Sequence, residues 1–279
     1  TSVAIDEEAM SLGTSTNDTI AAWITSAQHT LDVAVYNTNN VAIENAINTA
    51  AANGVQIRYI AEGSNANLGI DDFDSSIPVH YRTDNEGSGM HNKFFIGDAD
   101  YPETAFVLTG STNMTTANLN TDKNNVIVFQ DQSIARGYTL EFNEMWGSDS
   151  MVPDAVNSKF GPDKSVNTPL KYIIGGSPVE VYFSPTDGTT SAIRQTIERM
   201  DYGMAFALLS FTRDDLADAI IDGSSFFVSP QGAIEEIGGT GAEFETLTAA
   251  GIDVHSHQGI AGQLHHKYAV IDYSEPLSD

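Results

Sequence analysis

Between Asp18 and Gln28 the apolar residues Ile20, Trp23, Ile24 and Ala27 fall at helical spacing and predict an amphipathic helix. The next stretch, LDVAVYN, alternates as a strand does. VAIENAINTAAANG then reads as an Ala-rich helix stopped by Gly54, and VQIRYIAEG as a second strand. Strand, helix, strand in this order is a βαβ unit. Later the order returns: SAIRQTIERM predicts a helix, MAFALLSF a strand, DDLADAII a helix and SSFFVS a strand. Between the two runs, Pro, Gly and Ser break the periodicity. The chain is therefore divided into a first repeat over residues 1–150, a linker over 151–178 and a second repeat over 179–279.

The recurrence extends to short motifs. IPVH (Ile77 to His80) resembles IDVH (Ile252 to His255), and each precedes a glycine-containing loop and then a histidine motif. The first motif is HNKFFIGD, from His91 to Asp98, and the second is HHKYAVID, from His265 to Asp272. Both obey His-x-Lys-x-x-x-x-Asp. Two copies at corresponding places in a repeated order point to an internal duplication.

Composition narrows the chemistry. The chain has 279 residues, 41% of them hydrophobic, enough for a sizeable buried core. Its longest clearly apolar run, Met204 to Phe211, is too short to span a bilayer, so stable membrane insertion is not expected. There is no cysteine, which removes disulfides, thiolate nucleophiles and thiolate metal sites. The start at Thr1 fits a processed export product or a trimmed chain, and a secreted or extracellular location is the favoured expectation. With 38 acids against 12 bases the net charge is −26, which reads as a solvated acidic surface or an adaptation to salt. Long-range attraction to nucleic acid or to an anionic membrane is not what such a surface offers.

On a strand, positions two apart share a face, so His91 projects with Lys93 and His265 with Lys267. The residues that follow, Phe94 to Ile96 and Tyr268 to Ile271, are apolar enough to bury the strand. A polar pair on a buried strand needs a reason. A lone histidine there is ordinarily a hydrogen-bonded core residue, but duplication with lysine and aspartate in register weighs against that reading. Zinc is disfavoured because each lysine sets a cation beside any metal, with no matched carboxylate at ligand spacing. The acidic runs DDFDSS and GDAD lack the glycine and closing glutamate of a calcium loop. No metal and no cofactor is expected.

The paired HxKxxxxD motifs resemble those of the phospholipase D superfamily. TGSTN (Thr109 to Asn113) resembles the Gly-Ser-x-Asn turn of that family, and EFNEMWG (Glu141 to Gly147) its repeat-closing aromatic helix. The resemblance implies an α/β fold of two repeats related by a pseudo-two-fold axis, each a mixed β-sheet flanked by helices. It implies that Lys93 and Lys267 neutralise the non-bridging oxygens of a phosphodiester, that His91 attacks phosphorus, and that His265 protonates the leaving oxygen and then activates water. Asp98 and Asp272 are carried over as orienting groups, and Ser111 and Asn113 as donors to the phosphate or to first-motif side chains. A phospholipid-type diester is the favoured substrate. The alternatives are a nuclease on the same fold and a binding module without turnover. Oligomeric state is not legible.

After Asp98 some fifty residues complete the first repeat, whereas only YSEPLSD follows Asp272. The second repeat is thus expected to be C-terminally incomplete, with an open sheet edge beside His265.

Overall fold

A computed structural model describes residues 16–64, 69–83 and 89–273. The end of the chain, Ser274 to Asp279, lies outside the described residues, as does most of the loop before His91. The predicted first helix is α1 (Thr16–Ser26), followed by β1 (Thr30–Val35), α2 (Val41–Ala52) and β2 (Gln56–Glu62). The Asn40 side chain caps α2 by accepting from the Ala42 and Ile43 amides. β3 (Val79–Arg82), β4 (Lys93–Gly97), β5 (Phe106–Gly110), a short α3 (Thr116–Asn120), β6 (Val126–Phe129) and α4 (Gln132–Trp146) complete the first half.

Its six strands lie in the order β3-β2-β1-β4-β5-β6. β1, β2 and β3 are parallel, while β4, β5 and β6 run antiparallel to their neighbours, so the sheet is mixed. Alternation along the strands covers both faces. Leu31, Val33, Val35 and Phe95 pack with α1 and α2, whereas Ala34, Phe94 and Ile96 pack with Tyr138, Phe142 and Trp146 of α4. β4, which begins at Lys93, is therefore buried along its whole length.

Residues 151–178, where periodicity fails, do not hang free. Lys164 forms a buried ion pair with Glu141 of α4 at 2.6 Å, and Tyr172 joins the core beneath α4. Tyr172 lies on β7 (Lys171–Ile174), which forms a hairpin with β8 (Ser177–Glu180).

The second half runs α5 (Thr189–Ile197), β9 (Gly203–Ser210), α6 (Asp214–Gly223), β10 (Ser229–Glu236), α7 (Phe244–Ala249), β11 (Asp253–Ser256) and β12 (Lys267–Ile271). Its sheet order, β11-β10-β9-β12, repeats the plan β3-β2-β1-β4, again with three parallel strands and the motif strand antiparallel. The structure thus contains two mixed sheets, each flanked by helices. Among the described residues nothing pairs with the outer edge of β12, and Tyr268 and Val270 are exposed where Phe94 and Ile96 are buried.

One predicted strand is misplaced. SSFFVS is not a strand: Ser225 and Val228 close a tight turn through reciprocal backbone hydrogen bonds, leaving Phe226 and Phe227 exposed at its tip. The true strand is the next segment, SPQGAIEE, held by parallel pairing to β9. Its Gly232 lies so close over the Phe206 ring that a Cβ would come within 2.3 Å of it, so the glycine that weakens the sequence signal is required by packing.

Candidate active site

The two motifs adopt the same local geometry. Lys93 Nζ donates to the His91 carbonyl at 2.9 Å and lies 3.3 Å from His91 Nδ1. Lys267 Nζ donates to the His265 carbonyl at 2.8 Å and lies 3.0 Å from His265 Nδ1. In each case the lysine begins a strand and folds back over the histidine two residues earlier. Tyr36, just after β1, flanks the first pair, its ring 4.4 Å from that of His91 and 5.3 Å from Lys93 Nζ.

Asp98 and Asp272 sit at the other end of their strands, about five residues or ~17 Å from the lysines. Both adopt positive φ, 50° and 56°, a conformation that aspartate tolerates better than most side chains. The Asp98 carboxylate accepts from the backbone amides of Gln28, His29 and Thr30 at 2.7–2.9 Å. Asp272 Oδ1 does the same for Asp201, Tyr202 and Gly203 at 2.8–3.3 Å. What these aspartates orient is the motif strand against the start of β1 or β9. They do not touch the imidazoles.

The halves meet beside His265. Lys123 N–H donates to the Gln263 carbonyl at 2.7 Å, and His265 N–H donates to the Lys123 carbonyl at 2.9 Å. The segment just before β6 thus clasps the segment just before β12. Asn124 Oδ1 lies 2.9 Å from His265 Nδ1, and Asn125 Oδ1 lies 3.2 Å from His266 Nδ1. The Asn124 amide is oriented by its own partners, since Nδ2 donates to the Asn118 carbonyl and Oδ1 accepts from Ser111 Oγ at 2.9 Å. Its oxygen therefore faces His265 Nδ1, beside the Lys267 ammonium. Ser111 Oγ also accepts from Asn125 N–H at 3.0 Å. Its hydroxyl is thus committed to the clasp, acting through Asn124 on the second-motif histidine. Asn113 sits in the same turn, its N–H held by Asn118 Oδ1 at 3.1 Å.

Asn124, Asn125 and Tyr36 are the site residues that sequence reasoning missed. The clasp also makes a prediction. Gly262 has φ of +78°, and a Cβ there would lie 2.0 Å from the Thr121 carbonyl oxygen. Gly262→Ala is expected to cost about 1–3 kcal/mol and to lower turnover by displacing His265, read by thermal unfolding together with kcat.

On the first side, Glu62 fixes the approach to His91. It is buried, accepts from Met90 N–H at 2.6 Å and pairs with Arg82 at 3.3 Å. The electrostatics then couple the motifs. Burial, followed by the charges of Lys93, Lys267 and His265, pushes the His91 imidazole down to about 4, with Glu62 opposing. Burial, followed by Lys267 and Lys93, pushes His265 down to about 4, with Asp122 and the Ser111 backbone opposing. Lys93 is lowered to about 7 by burial and by Lys267, and Lys267 to about 8 by burial. Each motif feels the charges of the other, two cationic units on an otherwise acidic protein. Among the described residues no three His, Asp or Glu side chains converge as a metal site would require. No helix among them is long and apolar enough to cross a membrane.

Residues 20–146 match the family model described as the cardiolipin synthase, PLD-like domain. That stretch is similar to the phospholipase D superfamily. Two mitochondrial cardiolipin hydrolases are similar to it: that of Chlamydomonas reinhardtii is 27% identical over 126 residues, 44% of this chain, and that of Xenopus tropicalis 28% over 125 residues, 43% of this chain. The matches span 54% and 56% of those relatives, so the chain covers little more than half of their length. Polyphosphate kinase from Porphyromonas gingivalis is structurally similar over 79% of this chain and 36% of its own, with a TM-score of 0.53 and 11% identity. That likeness concerns the fold alone, and over 79% of the chain it takes in residues of both halves.

Proposed function

We propose that this chain is a phosphoric diester hydrolase of phospholipase D type, acting on a phospholipid-type diester through a phosphohistidine. The observation that carries the reading is the pair of His–Lys units with matching hydrogen bonds, each under the electrostatic influence of the other. A pseudo-two-fold relation between the halves sets the imidazoles on opposite sides of phosphorus. Lys93 and Lys267 bind the non-bridging oxygens and stabilise the charge of the transition state. His91 Nε2 attacks phosphorus, forming a P–N bond as the P–O bond to the leaving alcohol breaks. His265 gives its proton to that oxygen. Neutral His265 then takes a proton from water, the resulting oxygen attacks phosphorus, and the P–N bond breaks. Two cardiolipin hydrolases among the relatives favour a lipid diester, and the net charge of −26 disfavours broad capture of nucleic acid.

A substrate panel tests the reading. Release of phosphatidic acid from phospholipid vesicles, undiminished by chelator, is the expected result. Cleavage of single-stranded DNA with no action on lipid would replace it by the nuclease alternative.

The pH dependence follows from the charges. In the free site both imidazoles are neutral above about 4, so the singly protonated pair that the reaction needs becomes rarer as pH rises. The bound phosphodiester anion offsets the lysine charges and raises both values. The kcat/KM profile should therefore peak on the acid side of the ordinary imidazole range, and the kcat profile at least about one pH unit higher. Coincident profiles would contradict this account.

A further inference from the structure

Strand register matches residues of one half to their counterparts in the other. Lys93 pairs with Val35 and Val35 with Ala61, while Lys267 pairs with Leu208 and Leu208 with Ile234. Ala61 therefore corresponds to Ile234, and the next residue, Glu62, to Glu235. Ala61 also pairs with Tyr81, and Ile234 with Ser256, so the following residues, Arg82 and His257, correspond. The IPVH and IDVH segments give the same alignment, since they match His80 to His255.

The contacts correspond as well. Glu62 Oε2 accepts from Met90 N–H at 2.6 Å and lies 3.3 Å from Arg82 Nη1. Glu235 Oε2 accepts from Leu264 N–H at 2.8 Å and lies 2.7 Å from His257 Nδ1. Met90 and Leu264 immediately precede His91 and His265. In each half, one carboxylate oxygen thus ties a basic side chain, at the end of β3 or just after β11, to the peptide that enters the motif.

The second tie is well placed to act on His265. Residues 257–264 form a loop with glycines at positive φ, Gly259 and Gly262, and Glu235 closes its base by holding both ends. Leu264 N–H is bound by Glu235 and the next amide, His265 N–H, by the Lys123 carbonyl of the first half. Two consecutive amides with fixed partners set the direction in which the His265 side chain leaves the backbone. The Glu235 and His257 side chains are only 17% and 13% exposed, so water replaces little of what either loses with its partner.

We infer that Glu235 and His257 are positioning residues of the second motif, the pair that sets His265 as Glu62 and Arg82 set His91. This rests on the proposed function for its catalytic consequence, though the placement of His265 can be read without turnover.

The test follows the burst and the later turnover of a p-nitrophenyl phosphodiester. With His265 needed to activate water, Glu235→Ala is expected to keep the burst and to slow later turnover by about ten- to a hundredfold. Glu235→Gln, milder to the fold because it keeps the shape and an acceptor for Leu264, should show the same pattern more weakly. His257→Leu, which leaves the carboxylate without a basic partner, should act as Glu235→Ala does. His257→Arg, which rebuilds the first-half pair at the same register, should restore turnover to near the wild-type rate. The His265 imidazole signal, assigned in the NMR spectrum by its loss in His265→Ala, should move in Glu235→Ala and return to its place in His257→Arg. Burst and turnover slowed alike, equal losses in His257→Leu and His257→Arg, or an unmoved His265 signal in Glu235→Ala would each overturn the positioning role. Absence of nitrophenol release from the wild type would instead remove the proposed function, and the imidazole signal would still decide what the pair holds.

Discussion

His265→Ala is expected to give a burst of nitrophenol equal to the enzyme present and then stop, whereas His91→Ala gives no burst. The two histidines share environment and depressed basicity, so the loss of steady-state turnover alone, about a thousandfold or more in either variant, would not tell them apart. An aryl diester separates them because nitrophenolate leaves without needing a proton. With His265 absent, His91 can still attack, and phosphorus stays on its nitrogen because nothing deprotonates the water that would release it. Acid-labile, base-stable phosphate on the peptide holding His91 is the accompanying observation. A burst in His91→Ala and none in His265→Ala would exchange the roles. Full turnover in both variants would remove the site.

Much of this site can be read from strand periodicity. The spacing of His91 to Lys93 and of His265 to Lys267 places each pair on one face, and the structure turns that into a lysine folded onto the histidine carbonyl. The position of the aspartates was also implicit in the motif, because five strand residues carry Asp98 and Asp272 to the far end. What could not be read was any contact between halves. Asn124 and His265 are 141 residues apart, and no local pattern marks an asparagine before a strand as the partner of a distant imidazole. The packing of the linker against α4 was hidden for a related reason. Pro and Gly in residues 151–178 signal a break in periodicity, but the break says nothing about where the segment packs. The misplaced strand shows burial overriding propensity: Phe226 and Phe227 favour a strand by type yet sit in a turn, while Pro230 and Gly232 lie within one because β9 offers parallel pairing.

Both halves spend stability on the same arrangement. Two ammonium groups and two imidazoles lie partly buried within one another's electrostatic reach, and among the nearby carboxylates Glu62 is engaged with Met90 and Arg82. The proposed function requires the cations to stay charged when a phosphodiester arrives. The cost is carried by the empty site.

Lys93→Met is therefore expected to stabilise the fold while abolishing turnover. The side chain is buried along the stem, and methionine keeps its length and apolar character without the charge. The folded pKa of Lys93, about 7, lies well below the value near 10.5 of an unfolded lysine, so between these limits the unfolded chain binds more protons. Stability of the wild type should fall as pH drops from about 10.5 to about 7, and the deficit is complete below that. The variant lacks this term. Its advantage should be small at pH 10, grow toward neutrality and level off below pH 7, reaching on the order of 1–3 kcal/mol after the lost hydrogen bond to the His91 carbonyl is deducted. For a chain of this size that corresponds to a rise of several degrees in Tm at pH 7. Dimethyl phosphate, an unreactive diester monoanion, should raise the Tm of the wild type more than that of Lys93→Met, because the variant keeps only Lys267 for it to neutralise. A variant less stable than the wild type at pH 7, or one equally stabilised by the diester, would mean that Lys93 is held by a fixed counter-charge within the protein.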